Sequence, residues 1–145
     1  MPPRSMLCVS SLLLLLAGCN STPGTEPNPV QAIVEQLAQD TEGIARLTVH
    51  QLGSDEACTV LASTDGTKIG QPSDQEDLKA MQTGKPVVLE EAGACDITVP
   101  VRKRGDRWTH AVGVTLRAAP SADRKLLRAK AIEIADAIAV ALADR

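Results

Sequence analysis

Residues 62–91 read ASTDGTKIGQPSDQEDLKAMQTGKPVVLEE, and this stretch organises the rest of the chain. A strand leaves at Ala62-Ser63, and Asp65-Gly66 turns it. Glycine accepts a positive φ at such a turn, and aspartate bonds its own backbone there. Gly70 and Pro72 keep the next segment irregular. Ser73-Asp74-Gln75-Glu76 has the spacing of a capping box, with Ser73 as the cap and Glu76 reaching back from the third helical position. A short helix over residues 74–83 should follow, stopped by Gly84 in the left-handed conformation and by Pro86 two positions on. Pro86-Val87-Val88 then opens another strand. Strand, turn-rich loop, short capped helix and strand make a wall over a sheet, and such walls often close a pocket.

Working outward, Asn28-Pro29-Val30-Gln31 marks an earlier helix start, with Asn28 as cap and Pro29 at the first helical position. Val30, Ile33, Val34 and Leu37 give that helix one apolar stripe, which Gly43 ends. Residues 45–50 alternate as a half-buried strand, and residues 58–63 return antiparallel after a turn at residues 53–56. Three further strands are expected at residues 87–91, 96–103 and 107–117, joined at Ala92-Gly93 and Gly105-Asp106. A last helix should start at Pro120 and Ser121 and carry Leu127, Ala131, Ile134, Ile138 and Ala141 on one face. The order helix, two strands, helix, three strands, helix gives an α+β fold with a five-stranded antiparallel sheet and N-terminal, central and C-terminal helices.

Several pieces resemble the extracytoplasmic PAS-like sensor domains of the Cache group. They are Ala62-Ser63-Thr64-Asp65, Ile69-Gly70-Gln71-Pro72-Ser73-Asp74, Gly84-Lys85-Pro86-Val87-Val88 and Ala111-Val112-Gly113-Val114. The resemblance spans roughly residues 30–142 in order of elements. It implies a small-molecule sensor module and a sheet order of 2-1-5-4-3, which periodicity alone does not give.

Composition narrows the function. The 145 residues allow one domain, and 43% apolar content suffices for a core. With no Phe, no Tyr and one Trp, that core must be aliphatic and Ala-rich. A net charge of −3 with almost no aromatic residues excludes a nucleic-acid partner, which calls for a basic patch and stacking rings.

The N-terminus sets the compartment. Arg4 precedes an apolar run at residues 7–16, too short to span a bilayer as a helix. It ends in Leu16-Ala17-Gly18-Cys19, which resembles the lipobox of bacterial lipoprotein signal peptides. That implies removal of residues 1–18 and lipidation of Cys19 as the first mature residue. Residues 19–28 read as the lipidated cysteine and a polar tether, and residues 29–145 as the sensor or binding domain. In lipoproteins that this N-terminus resembles, Asp after the cysteine commonly signals inner-membrane retention. Asn20 stands here instead, so in a two-membrane envelope the resemblance implies the outer membrane, facing the periplasm.

For chemistry, alternation puts Trp108, His110, Val112, Val114 and Leu116 on one face, with Thr109, Ala111, Gly113 and Thr115 on the other. Those small residues would let an Ala-rich helix approach. Trp108 and His110 are the candidate ligand-binding residues, His110 standing where PAS-like relatives commonly keep a small residue. The alternative, which we favour for His110, is a core histidine bonded to a backbone carbonyl. His50, near the end of its strand, is expected to be exposed.

No catalytic constellation, metal site or cofactor signature emerges. Two histidines exclude a tri-His centre, and Cys58 and Cys95 have no metal-binding spacing. Asp74, Glu76 and Asp77 answer a helix dipole. No G-x-S-x-G elbow or Gly-rich phosphate loop is present. In an oxidising compartment Cys58 and Cys95 would be expected to pair. The sheet order implied by the resemblance sets them three strands apart, beyond disulfide reach, which favours free thiols. The expectation is a non-enzymatic, membrane-anchored lipoprotein that senses or binds a small organic ligand and acts through a separate signalling or envelope protein. The alternative is an assembly lipoprotein with a filled pocket and a protein partner.

Overall fold

The structure is a computed structural model that describes residues 28–144. The expected signal peptide, Cys19 and the expected tether up to residue 27 lie outside the described residues. Asn28 caps α1 (Pro29–Asp40), its side chain accepting from the Val30 N–H. The chain continues through β1 (Ile44–Leu52), β2 (Cys58–Ser63), α2 (Gln75–Thr83), β3 (Val87–Glu91), β4 (Ala94–Arg104), β5 (Arg107–Arg117) and α3 (Arg124–Ala143). The strands form one antiparallel sheet in the order β2-β1-β5-β4-β3, as the resemblance implied.

Both faces of the sheet are covered, and they differ in chemistry. Leu47 and Val49 of β1, Ile97 and Val99 of β4, and Val112, Val114 and Leu116 of β5 share a core with α1 and α3. From α1 come Val30 and Val34, and from α3 Ala131, Ile134, Ala135, Ile138 and Leu142. Each fully buried Val, Leu or Ile contributes about 1.5–3 kcal/mol, so this aliphatic layer holds the domain together without Phe or Tyr. The Ala-rich α3 therefore lies on the large-residue face of β5. The expected approach to Ala111 and Gly113 is corrected: that small-residue face lies under α2.

Local signals explain most boundaries, with two shifts. The cap of α2 is Asp74, one residue later than the Ser73 reading, and Asp77 replaces Glu76 as the residue reaching back. The Asp77 Oδ2 accepts the Asp74 N–H at 3.0 Å. Ser73 is drawn away because its hydroxyl meets His50 and Cys58 instead. At α3 the cap is Asp123, so Pro120 and Ser121 precede the helix. Between β2 and α2, a single 3-10 turn at Gly66–Lys68 leads into a segment that runs back along the outer edge of β2. Gly70 donates to the Val60 carbonyl, and Val60 to that of Gln71, each at 2.9 Å. That segment and α2 form the wall inferred from the sequence.

Gly84 ends α2 at φ +65°, and a Cβ there would lie 2.5 Å from Trp108 Nε1. Gly84→Ala should thus meet both the left-handed penalty and a collision with the indole. The expected loss is about 2 kcal/mol in denaturant unfolding. Emission from Trp108, the sole Trp, should shift to the red as the ring is displaced.

Candidate functional site

Under α2 the sheet presents polar side chains around a hollow of about 90 Å³. The floor comes from β1 (Arg46, Thr48, His50), β5 (Gly113) and β4 (Asp96, Thr98). The wall comes from Lys68, Gln71, Pro72 and Ser73, and from Asp74, Glu76 and Asp77 at the start of α2. Strand alternation explains the floor: β1 turns Leu47 and Val49 to the aliphatic core and its even-numbered residues to this side. Gly113 gives the hollow its depth, since a Cβ there would stand 3.4 Å from His50 Nε2.

The polar groups are tied to one another. Asp77, 4% exposed, accepts the Thr98 hydroxyl on Oδ1 at 3.2 Å and the Asp74 N–H on Oδ2. His50 is 6% exposed, which corrects the expectation that it faces solvent. Its Nδ1 lies 2.8 Å from Ser73 Oγ and 3.3 Å from Asp77 Oδ2. The Cys58 thiol donates to the same Ser73 oxygen at 3.2 Å. On the opposite wall, Arg46 pairs with Asp96 at 3.5 Å, and Asp96 also accepts the Thr115 hydroxyl at 3.1 Å. His50 Nε2 has no hydrogen-bond partner among the described residues.

Burial sets the protonation of the central pair. It lowers the His50 pKa to about 4, with the Asp74 charge opposing and Arg46 adding to the drop. It raises Asp77 to about 6 against the bonds from Asp74 and Thr98. At neutral pH the imidazole is therefore uncharged and the carboxylate ionised. Although 3.3 Å is an ion-pair distance, the contact is a neutral imidazole facing a carboxylate. The Nδ1–H tautomer suits that neighbour and leaves Nε2 as a bare acceptor on the hollow. Burial also pushes the Cys58 thiol up, away from the reactive thiolate. A serine-nucleophile relay needs hydroxyl and carboxylate on opposite ring nitrogens, whereas Ser73 and Asp77 both meet Nδ1.

Trp108 and His110 do not share this hollow, nor each other's. Register slips at Val101 and at Thr109 break the alternation of the β4–β5 ladder. Trp108 turns to the α2 side, packs near Leu52, Leu78 and Met81, and carries Lys103 Nζ 4.8 Å above its ring. His110 is buried near Leu61 and Leu142, with Nδ1 3.0 Å from the Thr109 hydroxyl. Cys58 and Cys95 are both buried free thiols, on strands separated by β1 and β5, so the pairing expected from the compartment is not made. Among the described residues no cluster of three metal-ligating side chains occurs, and no helix is long and apolar enough to cross a membrane. Sequence reading missed Arg46, Thr48, His50, Asp96 and Thr98. The signal available was their placement on the same side of β1 and β4, which the implied order sets either side of β5.

No protein-family model and no curated protein sequence matches the chain. Solved structures do. The GAF domain of a two-component sensor histidine kinase from Bacillus halodurans is similar with a TM-score of 0.57 at 10% identity, over 80% of this chain and 92% of that one. A GAF domain/HD domain protein from Geobacter sulfurreducens gives 0.55 at 12% identity, over 79% and 92%. The blue-light absorbing form of the Thermosynechococcus elongatus PixJ GAF-domain gives 0.54 at 16%, over 79% and 84%. At these identities the likeness is one of fold, and the fold is the GAF/PAS-like one.

The opposed shifts of His50 and Asp77 give a pH test. The His50 contribution to stability is present above pH 6.5 and is lost as pH falls through about 4. That of Asp77 is present below pH 3.8 and is lost as pH rises through about 6. The two slopes oppose each other. Asp77→Asn removes the second, so relative to wild type the variant should lose about 2 kcal/mol between pH 6 and pH 4. Denaturant unfolding across that range checks it, and parallel profiles would refute the raised carboxylate.

Proposed function

We propose that the chain is a non-enzymatic binding module of the PAS/Cache-like sensor type, whose ligand is a small polar molecule held in the hollow beneath α2. The observation that carries this reading is the hollow itself. Polar side chains, among them the buried Thr48, His50, Asp77 and Thr98, line about 90 Å³ of space, and His50 Nε2 faces it open to solvent with no protein hydrogen bond among the described residues. A polar site of that kind has its bonding groups in place before any ligand arrives, which lowers the cost of binding. Its volume limits the occupant to a few heavy atoms, below the range of drug-sized pockets.

The domain sits on a lipidated Cys19 behind a short polar tether, on the periplasmic side of the outer membrane. A ligand would shift the population of arrangements of the β2–α2 wall, and a separate envelope protein would read the change. Trp108 packs against α2 and is an internal reporter of that wall.

The site is tested by filling it. Screening small polar compounds by thermal shift and Trp108 emission should find a saturable ligand. Gly113→Val should abolish binding more than tenfold while the strand persists, at a cost of about 1–3 kcal/mol in stability. Binding that survives this variant would place the ligand elsewhere. The anchor is tested separately: the wild-type chain should fractionate with membranes and Cys19→Ser with the soluble phase, and equal partitioning of the two would overturn the lipoprotein reading.

A further inference from the structure

Given that the hollow is a ligand site, its chemistry also states the sign of the ligand's charge. Three observations agree. Asp77 is ionised at neutral pH, is buried at the hollow's wall, and has no cation within ion-pair distance among the described residues, because His50 is uncharged there. Of the two cations on the lining, Arg46 is engaged with Asp96, which leaves Lys68 against Asp74, Glu76 and Asp77. His50 Nε2, with Nδ1 turned to Ser73 and Asp77, offers the hollow a lone pair and no proton. A bound carboxylate would find an acceptor where it needs a donor and would be repelled by Asp77. A ligand with N–H donors and positive charge meets both demands.

We propose that the hollow between His50, Asp77 and Gly113 binds a small organic cation bearing N–H donors, of the ammonium or amidinium class. One N–H donates to His50 Nε2, and the charge lies against the carboxylates at the start of α2. Lys68, exposed on the 3-10 turn, is the group that opposes the ligand and sets how tightly it is held.

The test uses three planar four-atom probes of one shape: acetamidinium, acetamide and acetate. The chain has only two histidines, so imidazole 1H–15N correlations of the labelled full-length protein resolve His50, with His110 as the control. Each probe is titrated to roughly 50 mM, above the weakest useful affinity for a ligand of this size. Acetamidinium should shift the His50 ring saturably and leave His110 unmoved. Lys68→Gln should tighten it by about threefold, and the Asp74→Asn/Glu76→Gln double variant should weaken it by about tenfold. Asn keeps the cap of α2 in that variant. Saturation by acetate or acetamide in preference to acetamidinium would overturn the cation assignment while leaving the site in place. If no probe moves His50, or if acetamidinium moves both rings alike, the assignment and the site both fall.

Discussion

A carboxylate taken out of water has to be bonded or neutralised, and Asp77 meets that demand from three directions. The backbone N–H of Asp74 ties it to the start of its own helix, the Thr98 hydroxyl ties it to β4, and the ring of His50 brings in β1. One side chain thus fixes α2 above the sheet at a set height. Helix packing alone would draw α2 down onto the small residues of β5, as happens lower on the helix where Met81 meets Ala111. At the other end the polar bonds hold it off, and the gap over Gly113 stays open.

The difference between the two faces follows from where the apolar residues are spent. The face under α1 and α3 takes nearly all the large aliphatic side chains of the central strands. What remains for the α2 face around the hollow is Thr, Gly, His50 and charge, with Ala111, Leu52 and Trp108 lower down. A buried polar face contributes little net stability, since each hydrogen bond mostly replaces one to water. Its retention in a small domain without Phe or Tyr makes sense if the face has a use.

How far this was legible depends on the range of the interaction involved. Asn28, Gly84 and the alternation of residues 45–50 are local signals, and they placed the elements correctly. Sheet order came from resemblance, not from period. The capping of α2 shows a local ambiguity: Ser73/Glu76 and Asp74/Asp77 offer the same spacing one residue apart. Tertiary demand chose between them, because Ser73 is needed by His50 and Asp77 by Thr98. His50 was misread for a similar reason. Arg46, Thr48 and His50 alternate with Leu47 and Val49 just as a solvent face would, and only the distant wall buries Thr48 and His50. Trp108 and His110 failed differently, since two register slips undo the period of 2 on which their pairing relied.

In the proposed role, the same geometry suits holding a ligand better than transforming one by a serine or cysteine nucleophile. Catalysis by a nucleophile would need a proton path leading away from it, yet Ser73, Asp77 and the Cys58 chain all converge on one nitrogen of His50. Protons moved within that cluster return to the protein, and the only ring nitrogen facing the hollow ends in a lone pair. A thiol pushed up by burial adds no reactivity, and the Arg46–Asp96 pair across the hollow is already satisfied. Fixed dipoles around a small space discriminate between ligands through charge and donor pattern, at almost no cost in reorganisation. In the proposed binding mode, occupying the space replaces a solvated acceptor with a bond and screens the buried charge of Asp77. The energy of recognition would then be delivered to the residue that sets the height of α2, which is the coupling a sensor requires.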